Sequence, residues 1–379
     1  MQALASLPGV HFTALEISDR DAFAALRTDR RPADSYTRMT LFPSRPIREV
    51  SLRELRSALW QALDRLRPDV LCVNGWGLPG SRTTLRWTMA RRVPAVIMSD
   101  STATDFRRVA WKEFVKTRLL RHFSSAVVAG TRHREYLVSL GFPAEQIFGA
   151  YDVVDNGHFE RGANEARADA ARTRLRLRLP DKYFLACGRF SPKKNSLGLI
   201  EAYDIFRQQN HESEWKLVLV GDGELRKEAE MLARQLGLGG EILFAGEQGY
   251  DVLPAFYGLA SMFVHPSTSE QWGLVVNEAM AAGLPVLVSS ACGCAADLVR
   301  QGENGFTFSP ADRRGLAQLL SRMTAADLSL ERFGRRSSEI IANWTPNDFA
   351  RSVRAAAESA VRVPKSAPSA LDSLLFMSC

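Results

Sequence analysis

Short runs of consecutive apolar residues recur along the chain: Val70-Leu71-Cys72-Val73, Ala95-Val96-Ile97-Met98, Ala126-Val127-Val128-Ala129, Tyr183-Phe184-Leu185-Ala186, Leu217-Val218-Leu219-Val220, Met262-Phe263-Val264 and Val286-Leu287-Val288. They do not alternate apolar with polar. A strand buried on one face only would alternate, so these strands are expected to be covered on both faces, as in parallel sheets. Between them lie amphipathic segments at 50–66, 196–209, 224–236 and 312–323. The order predicts an α/β fold with parallel sheets.

At 379 residues the chain is long enough for two domains, each with a sizeable core. The Asn156-Gly157 turn signal is followed by an Arg-rich helical stretch (Arg167, Arg172, Arg174, Arg176, Arg178) that ends at Pro180. The expected division is 1–160, 180–345, and a C-terminal helix with a loose tail over 346–379.

The composition is that of a globular chain, with 46% hydrophobic and 24% charged residues. No stretch reaches about 18 uninterrupted apolar residues, and the first residues lack a signal-peptide pattern. The five cysteines are scattered. Cys72 and Cys187 read as buried small hydrophobes. Cys292-Gly293-Cys294 has no second ligand pair at metal spacing. No metal site is expected, and the cysteine pattern suits a reducing cytoplasm. The net charge of +7 favours anionic partners. Nucleic acid is not expected, because no zinc-finger, RNP-like or recognition-helix pattern is present.

The densest chemistry lies in the second half. Gly188-Arg189-Phe190-Ser191-Pro192-Lys193-Lys194-Asn195 joins a strand to a helix. Ligands of parallel sheets bind at such strand ends. A guanidinium and an ammonium there suit a diphosphate. A solvated basic loop is the competing reading. Val220-Gly221-Asp222-Gly223 is a weaker signal, equally a plain turn. The strongest segment runs from His265 to Pro285. There a polar loop carries Glu270, and Gly273 opens a helix that closes at Gly283. The free N–H groups of that helix end suit a phosphate. Glu270 and Glu278 can face one crevice, and carboxylates accept hydrogen bonds from sugar hydroxyls.

Glu270 and Glu278 are separated by seven residues. With Pro266-Ser267 before and Gly273-Leu274 between, this resembles the E-x7-E signature of the family 4 retaining glycosyltransferases, which are glycogen-synthase-like GT-B enzymes. Gly188-Arg189 with Lys194 resembles that family's diphosphate clamp. The likeness is good over 183–345 and fair back to residue 70. It implies a GT-B fold, two Rossmann-like domains facing a cleft. It implies that Arg189 and Lys194 offset the departing diphosphate without a metal, and that Gly273, Leu274 and Val275 meet the phosphates through backbone groups. Glu278 would hold the ribose hydroxyls and Glu270 those of the donor sugar. The partners implied are a nucleotide-sugar donor and a glycan or lipid-linked acceptor, with no cofactor beyond the donor. Two departures stand out. Asn195 follows Lys194 where the family usually has Gly, and Asp297 stands where Glu is common.

The first half matches less. The family opens with a strand and a glycine-rich loop, and neither is found ahead of the strand expected at Val10–Leu15. This keeps a second class open, a non-catalytic sugar-nucleotide-binding or assembly partner. Asp100 and Asn74 sit at strand ends where the acceptor would lie, and Asp100 is paired with Glu270 as the catalytic set. Asp19-Arg20-Asp21 spells a D-x-D triplet, a pattern common by chance. Residues 107–121 hold Arg107, Arg108, Lys112, Lys116, Arg118 and Arg121 among Trp111, Phe114 and Leu120. Such a helix could rest on an anionic membrane at the cytoplasmic face, though a packed helix with a solvated cationic face explains it as well.

Overall fold

The computed structural model describes residues 1–20, 36–105, 107–363 and 372. Phe106, Asp21 of the D-x-D triplet, Cys379 and most of the expected tail lie outside the described residues. The first half runs α1 (Gln2–Ala5), β1 (Thr13–Ser18), β2 (Thr37–Phe42), α2 (Leu52–Leu66), β3 (Leu71–Asn74), α3 (Pro79–Arg91), β4 (Ala95–Ser99), α4 (Ala110–Leu120), β5 (Ser125–Val128), α5 (Thr131–Ser139) and β6 (Ile147–Phe148). The second half runs α6 (Asn156–Ala168), α7 (Ala170–Leu177), β7 (Tyr183–Cys187), α8 (Ser196–Gln209), β8 (Lys216–Val220), α9 (Arg226–Gln235), β9 (Ile242–Gly246), α10 (Leu253–Leu259), β10 (Met262–His265), α11 (Leu274–Ala281), β11 (Val286–Ser289), α12 (Ala295–Leu298), β12 (Gly305–Phe308), α13 (Arg313–Met323), α14 (Leu330–Ile341) and α15 (Pro346–Arg362).

All strand pairs are parallel. The second half forms one sheet in the order β12-β11-β10-β7-β8-β9. Its strands are apolar throughout because successive side chains enter opposite cores. Phe184, Met262, Val264 and Leu287 join the core under α8 and α13. Leu185, Phe263, Val286 and Val288 join the core under α6, α10 and α11. Alternation of direction without alternation of polarity is what a doubly covered sheet demands.

Among the described residues the strands of the first half fall into two sheets, β1-β2 and β3-β4-β5-β6, with no ladder between them. The first strand begins at Thr13, later than the apolar run suggests. One cysteine expectation is overturned. Cys187 is buried, but Cys72 is exposed. Its strand β3 pairs with β4 alone, and Asn74 on the same face is exposed too. Among the described residues that face is covered by α15 over β4 and β5 but left open at β3.

Helix α15 returns to the first half. Phe349, Ala350, Val353 and Ala356 pack on Val96, Met98 and Val127, beside Leu4 of α1. Its start is fixed by a reciprocal cap between Thr345 and Asp348. Helices α1 and α15 thus lie together on one sheet.

Candidate active site

The carboxyl ends of β7, β8 and β10 deliver three loops to one edge of the C-terminal sheet. The first two loops interlock through their backbones. Gly188 N–H donates to Val220 O at 2.9 Å, Phe190 N–H to Asp222 O at 2.9 Å, and Leu225 N–H to Phe190 O at 3.0 Å. A Cβ on Gly221, whose φ is +129°, would stand 2.1 Å from Gly188 O. The Gly221-Asp222-Gly223 turn is therefore glycine for a steric reason. It lets the turn press on the loop that carries Arg189.

Asn195 explains its own departure from glycine. It sits at φ +54°, in the left-handed region that Asn tolerates better than most residues. Its Nδ2 donates to Pro266 O and Pro310 O, each at 3.1 Å. The side chain thereby ties the basic loop to the loop of Glu270.

Lys194 Nζ forms a short ion pair with Glu270 Oε2. Ser267 Oγ lies 3.3 Å from the same oxygen, and His265 Nε2 lies 3.5 Å from it. Burial opposes the charge on Glu270, yet His265 and Lys194 hold its pKa down to about 2. Glu270 is therefore a carboxylate throughout the neutral range. His265, wholly buried, has its own pKa lowered by that burial. Arg189 is exposed and has no partner among the described residues. Gly273, at φ +112°, caps α11 without a side-chain acceptor. The first N–H groups of α11, at Leu274 and Val275, have no acceptor within the chain among the described residues.

Glu278 lies in the second turn of α11. Burial raises its pKa to about 7. Tyr257 Oη donates to its Oε2 at 2.7 Å.

The first half reaches this edge at three places. At the end of β4, Asp100 Oδ1 accepts from Gln271 Nε2 at 3.2 Å. Asp152, after β6, feels Asp100 and Glu270 as like charges, and burial first of all raises its pKa to about 7. Its Oδ2 is buried without a hydrogen-bond partner. Asn74 faces the linker instead, where its Oδ1 accepts from Tyr151 Oη at 3.0 Å.

The first turn of α5 makes the closest junction. Asp297 accepts from Thr131 N–H at 3.0 Å and from Thr131 Oγ1 at 2.6 Å, capping a helix of the other half. Arg132 donates to Ser290 O and Cys292 O. His133 Nε2 bonds Gln271 O at 2.9 Å, next to Glu270 in the chain. A Cβ on Gly130 would meet Asp297 Oδ2 at 2.3 Å. Asp297 thus acts as an anion on a helix N-terminus.

The structure brings Arg189, Lys194, Gly273, Glu270 and Glu278 to one edge, with Asp100 opposite. Sequence reasoning missed His133, Asp152 and Tyr257, which carry no motif and meet the site only through tertiary contacts. Along 107–121 the cations divide. Arg108 and Lys116 pair with Glu113, and Arg118 with Asp372. Arg107, Lys112 and Arg121 remain exposed beside Trp111 (64% exposed) and Phe114 (54%). Asp19 of the D-x-D triplet accepts from Ser44 N–H, as a turn residue does. Among the described residues no three His, Cys, Asp or Glu side chains are gathered to hold a metal, and no helix is long and apolar enough to cross a membrane.

Residues 168–339 match the family described as glycosyl transferases group 1. The D-inositol 3-phosphate glycosyltransferase of Streptomyces scabiei is 29% identical over 258 residues, 66% of this chain and 56% of that one. The lipopolysaccharide core biosynthesis glycosyltransferase LpsE of Rhizobium meliloti is 33% identical over 157 residues, 41% of this chain and 44% of that one. The chain spans about half the length of these curated relatives. Among solved structures, Anabaena HepE in complex with UDP superposes with a TM-score of 0.70 at 19% identity, over 86% of this chain and 87% of that one. The fold is therefore that of the GT-B glycosyltransferases. The part of the chain that holds Arg189, Lys194, Glu270 and Glu278 carries the group 1 glycosyl transferase pattern.

Proposed function

We propose that the protein is a retaining glycosyltransferase that moves a sugar from a nucleotide diphosphate to a glycan or lipid-linked acceptor in polysaccharide or envelope glycan assembly. The observation that carries this is the pairing of an unpartnered Arg189 with a Lys194–Glu270 ion pair at a glycine-capped helix end. Negative charge grows on the leaving diphosphate as the glycosidic bond breaks. Arg189, Lys194 and the N–H groups of Leu274 and Val275 are fixed donors that offset it, so no metal is required for that role. Glu270, held ionised, accepts hydrogen bonds from the donor sugar and faces the positive charge that develops at its anomeric carbon. Glu278 takes the ribose hydroxyls. Asp100, across the cleft, meets the acceptor. Because the HepE structure holds UDP, uridine donors are the first to test.

The resulting domain division is an acceptor side over 1–160 and a donor side over 180–345. The exposed Trp111, Phe114, Arg107, Lys112 and Arg121 suit peripheral contact with an anionic membrane at the cytoplasmic face, where lipid-linked acceptors present themselves.

The test is the stereochemistry of transfer. Incubation with α-linked nucleotide sugars and candidate acceptors should give an α-linked product, read from the anomeric proton coupling in NMR. A β-linked product would rule out retention. Release of no nucleotide from any donor, with or without acceptor, would rule out the transferase.

A further inference from the structure

Glu278 is half-buried, with one side against the core. On the core side stands Tyr257, in α10, which is 0% exposed. Its hydroxyl donates to Glu278 Oε2 at 2.7 Å. No other side chain bonds this carboxylate among the described residues, and Oε1 is left for a ligand. Burial drives the Tyr257 phenol well above its ordinary pKa, so it remains a donor at every working pH. The Cys187 thiol on β7 touches the same hydroxyl, and burial pushes it up as well, so it adds no charge. Tyr250, ahead of α10, also faces Glu278, and burial raises its pKa to about 12, so it is neutral. It is held in place by stacking on His158 at 4.2 Å. Every other titratable group seen facing Glu278 is thus neutral near pH 7, and Tyr257 alone donates to it.

We infer that Tyr257 is a positioning residue for nucleotide recognition: its hydroxyl aims Glu278 and keeps it ionised, so that the carboxylate accepts both ribose hydroxyls. This rests on the reading of Glu278 given above. A carboxylate half-sunk in an apolar core favours its neutral form. The neutral acid has one fewer acceptor position and would present a proton where a hydroxyl must donate. A hydrogen bond to the charged form works against this, and burial and the Tyr257 bond together leave Glu278 titrating at about 7. The sign follows. Binding of a ribonucleotide strengthens as pH rises through that value, and removal of the Tyr257 hydroxyl moves the transition to higher pH.

The test is calorimetric titration of the full chain with UDP, GDP and ADP between pH 6 and 9. It uses wild type, Tyr257→Phe, Glu278→Gln and the double variant, with 2′,3′-dideoxy diphosphates as the probe without ribose hydroxyls. The loss of one charge-assisted hydrogen bond should move the Tyr257→Phe profile up by about one pH unit, which is about fivefold weaker binding at pH 7 and about tenfold at pH 6. The gap to wild type should close toward pH 9 and vanish for the dideoxy probe. In Glu278→Gln the added Tyr257→Phe change should cost nothing further, since the amide does not titrate. If Tyr257→Phe fails to fold, the wild-type profiles carry the test: UDP binding should strengthen through about pH 7 relative to the dideoxy probe, and parallel profiles for the two ligands would overturn the proposal. A Tyr257→Phe profile superposed on wild type, with Glu278→Gln weakened, would overturn the positioning role alone. Unweakened binding by Glu278→Gln at every pH would overturn the ribose assignment beneath it.

Discussion

Lys194→Ala is expected to lower turnover by about 10²–10³-fold, the usual consequence of deleting one fixed donor from a site of growing negative charge. The lysine acts twice. Its ammonium offsets the leaving diphosphate, and it pairs with Glu270. Without it, Glu270 keeps only His265 and Ser267, and the lysine's share in holding its pKa down is lost. Arg189→Ala should fall by a similar factor through the diphosphate alone, because Arg189 has no partner among the described residues. The two defects therefore differ in kind. The Lys194→Ala rate should acquire a steeper loss toward acid pH than the Arg189→Ala rate. Initial rates of nucleotide release from pH 5 to 8 check this. Wild-type rates in both variants would remove the clamp from the mechanism.

Gly221→Ala should be among the most damaging single-methyl changes in the chain. At φ +129° an L residue is strained, and the added Cβ would lie 2.1 Å from Gly188 O, which is backbone and cannot rotate away. Strain and overpacking of this kind cost about 1–3 kcal/mol each. At roughly 2–4 °C per kcal/mol for domains of this size, the melting temperature should fall by about 5–15 °C. Relief requires the 188–195 loop to shift, so diphosphate binding should weaken as well. Gly237→Ala is the control. Gly237 has φ +73° and open space around its Cβ position. It should cost stability through strain alone and leave binding unchanged. Equal binding by the Gly221 and Gly237 variants would disconnect the loop interlock from the site.

Much of this was legible in the chain because the signals were local. The apolar runs marked the strands since both faces of the C-terminal sheet are covered, and 196–209 coincides with α8. The basic loop and the two glutamates were visible because one strand–loop–helix unit carries each. What stayed hidden depends on residues far apart. Tyr257 reads as one more aromatic in an apolar helix until Glu278 is seen beside it. His133 and Asp297 meet only when α5 docks on the other half. Cys72 misled because an apolar run says nothing of whether a layer covers the strand. Asn195 stood out as a departure from the family's glycine. Its left-handed backbone and two tethering bonds show it as a substitute for glycine.

The central claim is that a nucleoside diphosphate sits at the edge formed by Arg189, Lys194, Glu270 and Glu278. Calorimetric binding of UDP, GDP and ADP to the wild-type chain, beside Lys194→Ala, tests it most directly. The account predicts that one of the three binds selectively at pH 7.5, and that Lys194→Ala weakens this binding at least about tenfold by removing a charge-assisted contact. Wild-type affinity in Lys194→Ala, or no binding of any of the three to a folded wild-type chain, would contradict it.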